Sequence, residues 1–229
     1  MSEPTDHDDP AITVTPGGPY LVTGAVPVQH RGQVTSDHGE AMTWQTTADL
    51  GAEASVALCR CGGSGTKPFC DGTHASIDFD GTEAAPTDGY DERARTFEAT
   101  GVVLRDDRRI CEHAGFCGNR ITNVWKMVKA DDPADSIARA QLMAMVERCP
   151  SGALTYRLEA DGDDVEPSLA ATVGVVEDGP LFVAGGIPVH RADGEPLETR
   201  NRVTLCRCGG SSIKPLCDGT HKEIGFEDR

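Results

Sequence analysis

Two stretches of this 229-residue chain repeat one another donor for donor. The first runs Cys59-Arg-Cys61-Gly-Gly-Ser-Gly-Thr-Lys-Pro-Phe-Cys70-Asp-Gly-Thr-His74, and the second runs Cys206-Arg-Cys208-Gly-Gly-Ser-Ser-Ile-Lys-Pro-Leu-Cys217-Asp-Gly-Thr-His221. Both read C-x-C-x8-C-x3-H, so each supplies three thiolates and one imidazole, a complete four-coordinate set. Cysteines two apart on an extended segment point the same way. A cysteine and a histidine four apart share a face of one helical turn. Asp71 and Asp218 follow directly and can cap that turn. Its free N–H groups then favour a negatively charged site. The glycines after each C-x-C pair let backbone come close to sulfur. Each copy thus offers one complete site for a metal centre. Zinc also accepts three cysteines and a histidine, but zinc ribbons pair their cysteines as C-x2-C.

The repeated stretch resembles the CDGSH iron–sulfur family. The likeness covers all four ligands, Ser64 and Ser211, the pairs Lys67-Pro68 and Lys214-Pro215, and the Asp-Gly-Thr-His ending, where Thr stands for the Ser of the family's name. It implies that Cys59, Cys61, Cys70 and His74 hold one [2Fe-2S] cluster, and Cys206, Cys208, Cys217 and His221 another. Arg60, Lys67, Arg207 and Lys214 are candidates to tune these clusters, or are simply solvated. Single-motif members pair as dimers with intertwined strands. The resemblance therefore implies the same arrangement within one chain, two β-rich lobes related by a pseudo-two-fold and sharing one sheet core. Two independent beads are the alternative.

A second repeat lies upstream of each motif: Gly18-Pro-Tyr-Leu-Val-Thr-Gly-Ala-Val-Pro-Val28 matches Gly179-Pro-Leu-Phe-Val-Ala-Gly-Gly-Ile-Pro-Val189. Ile12–Val14 and Val173–Val176 precede the two copies as matching strands. Short β-rich runs broken by Gly and Pro predict small antiparallel sheets. From Val28 to Cys59 is 31 positions and from Val189 to Cys206 is 17, so the first half carries about 14 more, placed within His30 to Glu53.

Residues 1–10 are acidic and expected to be a disordered tail. Residues 11–81 and 168–229 form the two lobes, and the Pro-, Gly- and acid-containing stretches 82–93 and 161–167 are expected as linkers. Between them, 94–160 is a different unit. Phe97 to Leu104 is expected as a strand. Asp132-Pro133 opens a helix along which Ala138, Leu142, Met145 and Cys149 recur at helical spacing. Pro150 stops it, and Leu154–Leu158 closes the unit as a strand. The fold class expected is α+β.

Nine cysteines less six leaves Cys111, Cys117 and Cys149, with His113 close by. Cys149-Pro150 resembles the end of a ferredoxin half, and the C-x-H-x3-C start resembles divergent single-cluster [4Fe-4S] domains found beside CDGSH modules. Ordinary bacterial ferredoxins begin C-x2-C-x2-C. The resemblance implies that Cys111, His113, Cys117 and Cys149 hold a cubane. Three thiolates alone would suit a [3Fe-4S] cluster, and buried unligated cysteines are the bland alternative. His7, His30, His38 and His190 read as surface residues. Trp44 and Trp125 read as packing.

Aromatics make up 5% of the chain, a thin supply of large core side chains, so folding leans on the inorganic centres. The formal net charge of −16 disfavours nucleic acid and anionic membranes, and fits either simple solubility or partners with a basic patch. An odd number of cysteines, no signal peptide and no long apolar run together predict reduced ligands in a cytoplasmic protein. No phosphate loop, dinucleotide fingerprint or nucleophile elbow is present. The function expected is electron carriage rather than catalysis, by a monomer relaying between a reductase and an oxidase or oxygenase. A cluster donor or redox and pH sensor, and a zinc-bearing structural adaptor, are the alternatives.

Overall fold

The structure, a computed structural model, describes residues 9–130 and 135–228. The first half begins with β1 (Ala11–Val14) and β2 (Tyr20–Thr23), a hairpin in which Ile12, Val14, Tyr20 and Val22 turn inward at every second position. There follow β3 (Val28–Thr35), β4 (Ala41–Asp49) and β5 (Ser55–Leu58). The short helix α1 (Tyr90–Arg93) leads to the hairpin β6 (Arg95–Ala99) and β7 (Val102–Asp106). Helices α2 (Val124–Ala130) and α3 (Ser136–Glu147) come next, and β8 (Leu154–Arg157) closes the middle unit against β7. The second half carries β9 (Thr172–Val176), β10 (Leu181–Ala184), β11 (Val189–His190), β12 (Arg202–Leu205) and α4 (Thr220–Glu223).

The two halves exchange strands. One sheet has the order β11-β1-β2-β5 and the other β12-β10-β9-β3-β4. Each half therefore lends the strand after its Gly-Pro hairpin to the other. Both lent strands run parallel to their hosts, Ile12 opposite Val189 and Val28 opposite Val173. The sheets are mixed, not antiparallel as expected, and they are two sheets rather than one. Segments so remote in sequence can meet in parallel because long chain separates them. Exchange also excludes independent beads: the buried Val28 and Val189 each complete the other half's sheet, within one core that includes Ile12, Leu58, Val175 and Leu205.

The extra residues of the first half are β4. It pairs with the lent strand β3 and extends the second sheet, forming an arm that reaches the middle unit. Gln33 donates to the Ala114 carbonyl at 2.8 Å, and Trp44 packs at a tilt against Phe116 and stacks on Phe182, with ring centres 5.0 and 5.9 Å away. Trp44 is thus a packing residue, as expected.

The stretch taken for one strand from Phe97 to Leu104 is a hairpin. Gly101, at φ +72°, makes the turn that separates β6 from β7. Asp132 and Pro133 lie outside the described residues. Helix α3 takes Asp135 as its cap instead, the carboxylate accepting from the Ala138 N–H at 2.7 Å. It buries Leu142, Met145 and Val146 and ends at Glu147, so Cys149 sits in the turn beyond it rather than on it. The stretches expected as linkers are packed. Tyr90 is buried, and Asp164 pairs with Arg105 and Arg157. His38 and His190 are exposed and His30 is half-buried.

Candidate metal centres

Each repeated motif folds as a strand end, a loop and a single helical turn. The turns are Thr73–Ala75, a 3₁₀ turn, and α4. Cys59 Sγ lies 3.8 Å from Cys61 Sγ, and Cys70 Sγ 3.4 Å from His74 Nδ1; Cys206 with Cys208 and Cys217 with His221 repeat both distances. A tetrahedral metal with bonds of about 2.3 Å to sulfur and about 2 Å to imidazole nitrogen would space its ligands about 3.5–3.8 Å apart. Each pair therefore fits one metal. Among the described residues no group of three or more His, Cys, Asp or Glu converges on a single ion. The donors come in twos.

The loops are tied the same way in both copies. Gly63 and Gly210 donate backbone N–H to the sulfurs of Cys61 and Cys208 at 3.4 Å. Ser64 and Ser211 donate to the carbonyls of Phe69 and Leu216 at 2.7 Å. Asp71 accepts from Thr73 and Gly65, and those hydrogen bonds hold its carboxyl well below the usual range. Asp218 makes the corresponding bonds to Thr220 and Ser212. The left-handed residues Gly72 and Gly219, not the aspartates, occupy the cap positions of the turns. Gly62 and Gly209 serve contact between the lobes. A methyl on Gly62 would lie 2.6 Å from the Cys208 carbonyl oxygen, and one on Gly209 2.7 Å from that of Cys61. Cys61 and Cys208 form a β-bridge across this seam.

The expected tuning residues are neither solvated arginines nor bonded to sulfur in the described contacts. Arg60 and Arg207 are buried. Arg60 binds the carbonyls of Thr15 and Gly81 and the Glu83 carboxylate, while Arg207 binds those of Val176 and Gly179 and Asp228. Lys214 is buried, donating to the carbonyls of Gly209 and Ser211 at 3.3 and 2.6 Å. Lys67 is half-buried.

One residue without a repeat counterpart reaches across. Tyr20, which stands where the second copy of the repeat has Leu181, donates to the carbonyls of Cys206 at 2.8 Å and Pro215 at 3.1 Å. Burial, with Cys206 nearby, pushes its hydroxyl well above the usual range, so it stays a donor. Tyr20→Phe should cost about 1–3 kcal/mol by leaving these buried acceptors short. Chemical denaturation measures this, and an unchanged midpoint would show the bond to be idle.

In the middle unit Cys111, His113, Cys117 and Cys149 line one cavity of about 140 Å³, walled by Phe116 and Leu154. Burial, and then the neighbouring Cys149 and Cys111 thiols, pushes Cys117 up to about 11. Burial also raises Cys111. Bound metal must displace these protons. Arg108 Nη1 lies 3.8 Å from Cys111 Sγ and its guanidinium covers Trp125. Arg202 of the second half, fully buried, donates to the carbonyls of Cys149 at 2.5 Å and of Val146 and Leu154 at 3.2 Å, and pairs with Glu166. It therefore holds the turn that presents Cys149.

The model described as iron-binding zinc finger CDGSH type matches residues 17–75 and 178–222. The divergent 4Fe-4S mono-cluster model matches 98–159. The chain is a tandem CDGSH protein with an inserted mono-cluster domain. No curated protein and no solved structure matches it. This tandem CDGSH chain is an iron–sulfur protein, and its middle domain belongs to the 4Fe-4S type. Among the described residues, no helix of the CDGSH lobes or the insert is long and apolar enough to cross a membrane.

Arg202, Tyr20 and Arg108 are the positioning residues that the spacing of cysteines does not reveal. Arg108 stands three before Cys111, Arg202 four before Cys206, and Tyr20 within the Gly-Pro repeat, but none of them shares the ligand spacing.

Proposed function

We propose that this protein carries single electrons, using two [2Fe-2S] clusters held by the two CDGSH sets and one [4Fe-4S] cluster held by Cys111, His113, Cys117 and Cys149. The grouping of the donors carries the proposal. Paired ligands at 3.8 and 3.4 Å suit a binuclear cluster that takes one pair on each iron, and not one zinc ion. The middle four donors share one cavity, which favours the cubane over a three-thiolate site. The reciprocal strand order supports lobes related by a pseudo-two-fold within a monomer.

Such clusters exchange one electron with little change in shape, and a neutral imidazole in place of a thiolate raises the potential. The protein holds the ligands in fixed loops, with Cys149 buried, Cys111 and Cys117 half-buried and His113 exposed. A surface this acidic suits a reductase, oxidase or oxygenase partner with a basic patch, in the cytoplasm. Anaerobic purification should yield about eight irons per chain, with matching sulfide, and reduced-state EPR signals from both cluster types. A colourless, zinc-filled protein would replace the proposal with the structural adaptor.

A further inference from the structure

The two CDGSH sites are twins in sequence but not in surroundings. Strand β2 is buried at alternate positions, whereas its counterpart β10 is buried throughout; β5 and its counterpart β12 differ in the same sense. The middle domain packs against the second sheet, through Arg202 to the Cys149 turn and through Trp44 between Phe116 and Phe182. The ligands follow suit. Cys217 is 2% exposed and His221 6%, while Cys70 and His74 are half-buried. The Lys214 carbonyl receives the N–H groups of Ala84 and Ala85, which closes a further side of the second site.

The middle site also touches the second site directly. A methyl on Gly219, between Cys217 and His221, would lie 2.9 Å from the carbonyl oxygen of Glu112 and 3.3 Å from His113 Cδ2. Glu112 is the residue between Cys111 and His113. Lys222, next to His221, donates to the His113 carbonyl at 2.5 Å. On its other side the second site meets the first through the Cys61–Cys208 bridge. Among the described residues, the hydrogen bonds and ring contacts joining the middle domain to the first half run through the β3–β4 arm, to Ala114, Phe116, Arg120 and Arg148, and not through the 59–74 loop.

We infer that the three sites stand in series, middle site to second CDGSH site to first CDGSH site, with the buried second site between two more exposed ends. The inference rests on the electron-carrier proposal above. Electron tunnelling falls steeply with distance, so the contacts at Glu112–Gly219 and Cys61–Cys208 set the order. At each step one centre loses one electron and its neighbour gains it; no bond breaks. A one-electron donor loads the series and a one-electron acceptor empties it.

Low-temperature EPR of the reduced, anaerobic full chain tests the order. His74→Cys and His221→Cys each shift one of the two [2Fe-2S] signals and so assign them. Tyr20→Phe, which contacts the Cys206 carbonyl, assigns the second one independently. The expected result is spin coupling to the reduced middle centre, seen as splitting or faster relaxation, on the second-site signal. That coupling should vanish when the middle centre is poised oxidised. Equal coupling on both signals, or stronger coupling on the first, overturns the series. An iron chelator added to wild type should bleach half of the [2Fe-2S] absorbance in a fast phase belonging to the first site, and faster loss from the second overturns its internal position. Too little iron for three centres would instead sink the electron-carrier proposal, so the two failures are distinguishable.

Discussion

Arg202→Met should cost about 3–5 kcal/mol and empty the middle site before either CDGSH site. The side chain is 1% exposed, and its guanidinium satisfies three carbonyls around the Cys149 turn while pairing with Glu166. Methionine fills similar space but leaves those acceptors and the carboxylate without a donor. For a chain of this size such a loss lowers the melting temperature by roughly 10 °C. Arg202→Lys should fall between the two, because an ammonium cannot reproduce the planar fork. Melting curves and iron content check this. A stable Arg202→Met protein with its middle-site EPR signal intact would refute the role.

The CDGSH centres should bleach as pH falls, and His74→Cys with His221→Cys should slow the bleaching. Imidazole holds metal only through a deprotonated nitrogen, so protons compete with iron. Each unit of acidification on the high side of the imidazole pKa raises the protonated fraction by up to about tenfold, and the wild-type rate should climb accordingly until that fraction saturates below the pKa. Burial first, then Lys222 and Arg207, lowers His221 from 6.5 to about 4. A folded value below the unfolded one means that the neutral ring's contribution to stability is full above pH 6.5. It is lost as pH falls from there through about 4. Stopped-flow absorbance follows the loss. Equal rates in wild type and the double variant would exclude the histidines as the proton entry points.

Much of the candidate site was legible in the chain because ligand chemistry is local. The repeated spacing put Cys59 with Cys61 and Cys70 with His74, and a strand end and one helical turn suffice to bring each pair together. The third set was legible by subtraction and resemblance, and Cys111, Cys117 and Cys149 share one cavity. Helix α2 was missed: its seven residues are too few for periodicity to show, and its cap, Asn123 accepting from the Lys126 N–H, was the available signal. The β6–β7 hairpin was missed because Gly101 alone marked the turn.

The amino-acid order by itself determined which atoms can bind metal, how they are spaced, and that the binding unit occurs twice around a different insert, since all of this depends on neighbours a few residues apart. Tertiary structure alone decided that the halves exchange strands, that Tyr20 and Arg202 brace sites belonging to another part of the chain, and that the insert packs against the second twin. These depend on which surfaces bury one another, and burial is set by the packing of remote segments rather than by spacing along the chain.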